Sequence, residues 1–195
     1  MHVSLKAVPA AALALGLAAS AHAGTDYSNN FGDVDTPTES SITATFNAAA
    51  GTDLVTFHLD GFASLDGWGN CCTDVFTLSV NGTSVFSGSW DLGGGGSNVI
   101  LQDVSGVATV TGGTYGFFQG GALDITLPVA LLAGSNTLTF SYASPTGFQG
   151  LGDEGWGLGQ VTVTSAVPEP ATTTMLLAGL GLVGFARRRQ GARRG

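Results

Sequence analysis

Apolar and polar residues alternate with a period of two along much of the middle of the chain. Such alternation is typical of β-strands that bury one face. The clearest alternating segments are residues 41–46, 55–59, 76–80, 136–142 and 160–164. Weaker strand candidates are residues 107–110 and 123–127. No segment of this region repeats apolar residues at the spacing of three and four that marks an amphipathic helix. We therefore predict an all-β domain.

One hairpin is predicted in detail, between residues 76–80 and residues 83–87. The two segments are joined by Asn-Gly at residues 81–82, the preferred pair for a two-residue type I′ turn, because both positions need positive φ. A two-residue loop with an unbroken ladder places Leu78 opposite Val85. The sequence therefore predicts a tight hairpin with one aliphatic face.

Glycine-rich connections separate the predicted strands. The glycine-rich stretches at residues 93–96 and 112–121 are expected to be long, flexible connections at one end of the fold. Seven or eight short strands with such turns, and no helices between them, are typical of an antiparallel sandwich. We predict an antiparallel jelly-roll sandwich over residues 24–165, flanked by an N-terminal signal helix and a C-terminal transmembrane helix.

The first 23 residues have the layout of a secretory signal peptide. Lys6 supplies the positive charge, residues 10–19 form an apolar core, and residues 21–23 read Ala-His-Ala, a small-x-small cleavage box. The apolar stretch is too short for a lasting membrane span. We expect export, with cleavage after Ala23.

The last 30 residues, 166–195, have a different organisation. A segment that two prolines hold extended comes first: Val167, Pro168, Glu169 and Pro170. An uncharged apolar run follows at residues 171–186, long enough for a helix of about 24 Å at ~1.5 Å per residue. The apolar run is followed by a basic cluster that we expect to stay on the cytoplasmic side, namely Arg187, Arg188 and Arg189. Because a bilayer core is roughly 30 Å thick, we expect a short transmembrane helix that anchors the protein only transiently.

This three-part tail resembles the PEP-CTERM sorting signal. The resemblance covers about 29 residues and implies recognition by an exosortase, a membrane-embedded, cysteine transpeptidase-like enzyme that cuts near the Pro-Glu-Pro motif. Proteins of this kind come from Gram-negative bacteria that build exopolysaccharide or biofilm. The resemblance therefore implies an exosortase as processing partner and the cell surface or extracellular matrix as destination.

Charge is distributed very unevenly along the chain. All six Lys and Arg residues lie outside residues 24–165, whereas 13 of the 14 acidic residues lie within them. A domain with a charge of about −13 does not bind nucleic acid through counterion release. Such acidity favours a cation partner, calcium above all, although a solvated surface that keeps the protein soluble explains most individual carboxylates. A buried carboxylate, however, has no Lys or Arg to pair with.

Two acidic loops are the candidate site, at residues 60–76 and 150–160. If they lie at the same end of the sandwich, four carboxylates complete one calcium site: Asp66, Asp74, Asp153 and Glu154. The alternative is ordinary turn chemistry, in which Asp and Asn bond their own backbone. The arrangement loosely resembles exported jelly-roll modules that bind calcium or sugars.

The first acidic loop also holds Cys71, Cys72 and Trp68. In an oxidising compartment the adjacent cysteines are compatible with a vicinal disulfide, two free thiols or an intermolecular bridge. Trp68 is the candidate carbohydrate platform, because an exposed indole ring stacks on sugars while neighbouring acids accept hydroxyl bonds. Trp90 and Trp156 are expected to fill the core.

An enzyme is not expected. His58 is the only histidine of residues 24–165, and no Gly-x-Ser-x-Gly nucleophile motif occurs. Asp153 and Glu154 are adjacent, so on a strand they would point to opposite faces and would not act as a catalytic pair. We predict a structural or carbohydrate-associating protein that contacts exopolysaccharide, with calcium as the only candidate cofactor. The alternatives are an enzyme that degrades matrix glycans and a passive adhesin without a small ligand.

Overall fold

The computed structural model describes residues 24–165, and the statements below concern this part of the chain. The prediction of an all-β fold is confirmed: these residues form two antiparallel sheets. Within them we find no helical segment with the length and apolar character that a membrane crossing requires. The predicted signal peptide (1–23) and sorting tail (166–195), with its transmembrane helix, lie outside the described residues.

The first sheet contains β1 (Thr25–Asn30), β2 (Thr36–Pro37), β4 (Gly51–Ala63), β8 (Thr109–Thr114), β9 (Gly121–Leu131) and β11 (Glu154–Ser165). Its strand order is β1-β11-β4-β9-β8, and β2 also pairs with β11. The second sheet contains β3 (Ser41–Ala48), β5 (Val75–Val80), β6 (Thr83–Ser89), β7 (Val99–Asp103) and β10 (Gly134–Ala143). Its order is β3-β10-β5-β6-β7. The jelly-roll assignment stays a prediction.

The core lies between the inner faces of the two sheets. Phe57 on β4 stacks on Phe76 of β5 and packs edge-on against Phe140 of β10, with ring centroids 5.5 and 5.1 Å apart. Burying each such side chain contributes about 2 to 3 kcal/mol. Trp90 and Trp156 are 3% and 0% exposed, so both fill the core as predicted.

The predicted hairpin forms, but its register differs from the expectation. Asn81 and Gly82 both have positive φ, 51° and 81°, as a type I′ turn requires. A bulge then interrupts the ladder, and Leu78 pairs with Phe86 and not with Val85. The predicted register was therefore wrong beyond the first pairs. The bulge has a packing reason, because it leaves Phe86 fully buried.

The expectation of a long flexible connection at residues 112–121 was also wrong. Strand β8 continues to Thr114 and β9 begins at Gly121, so the connection is only residues 115–120. Gly112 pairs with Leu123 in the β8–β9 ladder. Its φ is +111° and a Cβ there would lie 2.2 Å from the carbonyl oxygen of Ala122, so only glycine fits. The absence of a side chain at Gly112 therefore allows β8 and β9 to approach closely.

Three short strands were not predicted from the sequence. They are β1, β2 and β7, and none of them has more than a weak apolar alternation. Each lies at or near a sheet edge, where pairing with a neighbouring strand is the main stabilising interaction. A single-sequence pattern does not record that pairing.

Four connections between strands meet at one end of the sandwich, and we name this region the loop end. It comprises residues 64–74, 90–98, 115–120 and 144–153. Backbone hydrogen bonds from Ser64 to Asp153, from Gly94 to Leu65 and from Phe118 to Gly93 join these loops, at 2.8, 3.2 and 2.9 Å. The loop end is therefore an interlinked structure. It contains three of the predicted ligand residues, and the fourth, Glu154, begins β11 directly after it.

Candidate functional site

Three carboxylates from the two predicted acidic loops meet at the loop end. Asp66 and Asp74 close one loop on itself, because the Asp66 N–H donates to Asp74 Oδ2 and the Asp74 N–H donates to the Asp66 carbonyl, both at 2.9 Å. Glu154 enters from the first position of β11. One carboxylate oxygen from each residue lies within 4.8 Å of the other two. We name Asp66, Asp74 and Glu154 the acidic cluster.

The acidic cluster is buried. Asp66, Asp74 and Glu154 are 7%, 1% and 0% exposed, and residues 24–165 contain no Lys or Arg to neutralise them. Two like charges about 5 Å apart repel by roughly 3 kcal/mol at an effective dielectric constant near 20. Burial, with the charge of Glu154 adding to it, raises the pKa of Asp66 to about 6 and that of Asp74 to about 7. The cluster therefore favours uptake of positive charge, as protons or as a cation.

Glu154 is held in place by donors from two neighbouring segments. Its Oε2 accepts from the Gln149 N–H at 3.0 Å and the Thr38 hydroxyl at 3.4 Å. Its Oε1 accepts from Gln149 Nε2 at 3.1 Å and the Ser144 hydroxyl at 3.4 Å. These bonds fix the orientation of the carboxylate, since each of its oxygens accepts from two donors.

Two buried oxygens in this region have no hydrogen-bond partner within the described part of the chain. They are Asp74 Oδ1 and the Tyr142 hydroxyl, on side chains that are each 1% exposed. The Ser144 hydroxyl lies near enough to lower the pKa of Asp74 somewhat, but its hydrogen bond goes to Glu154. Burial first, and the charge of Asp74 second, raise the pKa of Tyr142. Unpartnered polar atoms at such depth are rare and call for an explanation.

Asp153, the fourth predicted ligand, lies outside the acidic cluster. Its Oδ1 accepts a hydrogen bond from the Ser64 hydroxyl at 2.6 Å, so its side chain joins two loops. Asn70, which the sequence did not single out, has a closer relation to the cluster. Its Nδ2 donates to Asp66 Oδ1 and, at 2.8 Å, to the Gly94 carbonyl. An Asn near acidic residues is common in turns, so its type alone did not distinguish it.

Trp68 lies on the surface of the loop end and is 48% exposed. Its backbone is nevertheless fixed, because its N–H donates to the Ser97 carbonyl at 2.8 Å and its carbonyl accepts from the Ser97 N–H at 2.9 Å. The neighbouring 115–120 connection exposes further rings: Tyr115, Phe117 and Phe118. The sequence prediction missed these three because it treated the segment as a flexible linker. We name Trp68 and these three residues the aromatic surface.

Cys71 and Cys72 are free thiols in the structure, with their Sγ atoms 2.6 Å apart. Cys71 is exposed, and its N–H donates to Asn70 Oδ1 at 2.7 Å. The hydrogen bond from Cys72 is the main cause that raises the pKa of the Cys71 thiol. The vicinal disulfide stays a prediction, and neither thiol belongs to the acidic cluster.

A second titratable group lies on β4 and β9, away from the loop end. His58 Nδ1 lies 2.8 Å from Asp124 Oδ1 on the opposite strand, and His58 Nε2 lies 3.4 Å from Asp60 Oδ2. Burial lowers the pKa of His58, but the hydrogen bond to Asp124 and the charges of Asp60, Asp124 and Asp33 outweigh burial and raise it. Sequence reasoning placed His58 in a strand but did not reveal these partners.

Comparison with protein families identifies the C-terminal segment. Residues 166–190 match the PEP-CTERM protein-sorting motif, and this range includes the Pro-Glu-Pro residues and the basic cluster. No curated protein matches the chain. The chain therefore carries a PEP-CTERM protein-sorting motif, which identifies it as an exported protein that is processed by an exosortase.

Proposed function

We propose that the protein is a non-enzymatic, jelly-roll module of the cell surface or extracellular matrix that associates with carbohydrate through the aromatic surface. The observation that carries this proposal is the set of exposed rings on hydrogen-bonded loops at one end of the fold. Delivery by an exosortase-processed tail would present this end to matrix glycans. After processing, transient anchoring in the inner membrane would end.

Aromatic side chains suit sugar binding because their apolar faces stack on the C–H faces of pyranose rings. An exposed indole also leaves its N–H free to bond with hydroxyl groups. The backbone of Trp68 is paired with Ser97, so little ordering entropy is lost when a ligand binds. Phe117 and Phe118 pack edge-on with ring centroids 4.7 Å apart, which gives the 115–120 connection a defined shape.

The charge of the domain limits the class of glycan. With 13 carboxylates and no Lys or Arg in residues 24–165, the domain repels polyanions such as uronate-rich polysaccharides. Neutral polysaccharides carry no such penalty. We therefore propose a neutral exopolysaccharide as the partner.

The alternative of a glycan-degrading enzyme has less support. Paired catalytic carboxylates of glycosidases lie about 5 to 5.5 Å or roughly 6.5 to 9.5 Å apart and face an open cleft. The oxygens of the acidic cluster lie closer together, within 4.8 Å, and their side chains are at most 7% exposed. Such burial leaves no room for a sugar between the carboxylates. A passive adhesin without a small ligand is the other alternative.

Retention of the full chain on a panel of immobilised neutral and uronate-rich glycans tests the proposal. We expect retention on a neutral glycan and at least a fivefold loss in Trp68→Ala, since one aromatic contact contributes about 1 kcal/mol. The matched control is Leu132→Ala, which removes a 62% exposed apolar side chain from a different turn. If the protein is retained on no glycan, the carbohydrate proposal is wrong and the passive adhesin is favoured. Release of soluble sugar from a glycan would favour the degrading enzyme.

A further inference from the structure

The acidic cluster shares the 64–74 loop with Trp68, but its buried carboxylates have no part in carbohydrate stacking. Its three carboxylates come from the 64–74 loop and from the first residue of β11, two segments far apart in sequence, and are brought together in a buried position. No Lys or Arg of residues 24–165 can neutralise them, and Asp91 and Asp153 add further negative charge around Asp66. Two means of neutralisation are left, namely protons and a bound cation.

The contacts within the acidic cluster favour the cation. Protonated carboxyl groups that share protons form direct hydrogen bonds, with oxygens about 2.5 to 3.0 Å apart. No hydrogen bond joins the side chains of Asp66, Asp74 and Glu154 to one another in the described structure. Asp74 Oδ1 instead lies buried and accepts no hydrogen bond from any residue of the range 24–165. A cation explains this arrangement because it bonds each oxygen and holds the oxygens apart.

Tyr142 supplies an observation from outside the three carboxylates. Its hydroxyl belongs to β10, is buried, and lacks a hydrogen-bond partner among the described residues. The phenol also lies within the electrostatic influence of Asp74. A neutral phenol oxygen beside a cation site provides an additional oxygen, either directly or through a metal-bound water.

The distances and atom types indicate calcium. Calcium–oxygen bonds measure about 2.3 to 2.6 Å, so two oxygens on opposite sides of one ion lie at most roughly 5 Å apart. The 4.8 Å bound within the acidic cluster satisfies this condition. Magnesium keeps several of its waters and usually binds only one or two carboxylates, so a buried site of three carboxylates favours calcium. The cluster includes no imidazole or thiolate, the ligands that zinc prefers.

We propose that Asp66, Asp74 and Glu154 bind one calcium ion, with the Tyr142 hydroxyl and water as further oxygen ligands. The ion would join the 64–74 loop to the start of β11 and thereby hold the loop that carries Trp68. This inference stands without the carbohydrate proposal, since it rests on the buried carboxylates and the Tyr142 hydroxyl and not on the aromatic surface. It also explains how an acidic domain without basic residues buries three carboxylates together.

Calorimetric titration of calcium into the EDTA-treated full chain is the direct test. We expect one bound ion and a rise in the melting temperature with calcium, and weaker binding of magnesium. Terbium is a second probe that needs no variant, because nearby Tyr and Trp side chains sensitise its luminescence. Calcium is expected to displace terbium and abolish this emission.

Asp74→Asn and Glu154→Gln keep the shape of each side chain and remove one charge. We expect each to weaken calcium binding roughly tenfold or more, since affinity follows the number of charged ligands. The matched control is Asp124→Asn, which removes an exposed carboxylate from β9 and leaves calcium binding unchanged. Absence of calcium binding by the parent protein, or an equal loss in Asp124→Asn, would overturn the proposal. If the parent protein binds no calcium but is still retained on a glycan, the calcium site fails while the proposed function stands.

Discussion

His58 is the one side chain in residues 24–165 that becomes cationic near neutral pH. It is about one third exposed and lies opposite Asp124, with Asp60 on the other side of the ring and Asp33 nearby. Burial of the imidazole disfavours its charged form, whereas these carboxylates favour it, and the carboxylates prevail. The only ion pairs of the described domain therefore depend on the protonation of one residue.

The raised pKa of His58 predicts a specific pH dependence. A group whose pKa is higher in the folded than in the unfolded protein stabilises the fold below the unfolded value of about 6.5, and this contribution is lost as the pH rises through the folded pKa. His58→Gln should therefore lower the free energy of unfolding at pH 5.5 by about 0.5 to 1 kcal/mol, discounted for exposure, and leave it unchanged at pH 9. Urea unfolding at both pH values measures this.

The control for His58 is its pKa measured by NMR in Asp124→Asn. Loss of the 2.8 Å contact to Asp124 should lower the pKa of the imidazole towards its ordinary value. A titration curve identical in the parent protein and in Asp124→Asn would contradict this account of the pairing.

At the scale of elements, Asn136 connects two turns at the start of β10. It is fully buried, and its Nδ2 donates to the carbonyls of Leu132 and Gly134 at 2.8 and 3.0 Å. Its Oδ1 accepts from the Leu132 N–H at 2.9 Å and from Asn81 Nδ2 at 2.8 Å. Asn81 is the first turn residue of the β5–β6 hairpin, so one amide group joins that hairpin to the β9–β10 turn.

Asn136→Ala should therefore destabilise the domain by about 2 to 4 kcal/mol, because it removes the four hydrogen bonds of a fully buried amide side chain. Urea unfolding measures the change. The matched control is Ser135→Ala, one position earlier on the exposed side of the same strand, with an expected change within ~0.5 kcal/mol. Equal effects of the two substitutions would show that the amide network does not stabilise the turn.

At the scale of the whole molecule, the described domain combines a large apolar core with a uniformly negative set of ionisable groups. Its core side chains come from both sheets and from the loop end. Its 13 carboxylates have no Lys or Arg in the domain to offset them. Mutual repulsion of these charges opposes the compact state and keeps the protein soluble. Apolar burial must therefore offset electrostatic repulsion.

Monovalent salt should stabilise this domain. Raising NaCl from about 20 mM to about 500 mM shortens the screening length from roughly 20 Å to about 4 Å, which weakens the repulsion between carboxylates. We expect the melting temperature at pH 8 to rise by a few degrees, as followed by circular dichroism. At pH 4, where more carboxylates are neutral, the same change of salt should have a smaller effect. A fall in melting temperature at pH 8 would contradict the prediction.

The features that the sequence alone predicted are local or compositional. Alternation at residues 55–59 predicted the buried face of β4, because the side-chain period of a strand is a property of the strand itself. Asn-Gly predicted its own turn through the positive φ that both positions adopt. The absence of Lys and Arg from residues 24–165 and the PEP-CTERM motif need no folding to be recognised. The sequence also singled out all three residues of the acidic cluster by their type.

Tertiary structure alone decided which of those residues meet. It brought Glu154 to Asp66 and Asp74, while Asp153, its neighbour in sequence, bonds to Ser64. Side chains of adjacent residues point in different directions, and sheet order is set by pairing between strands far apart in the chain. For the same reason the bulge in β6, the partners of His58 and the exposed rings of residues 115–118 were not predictable: each depends on long-range packing, which no local pattern records.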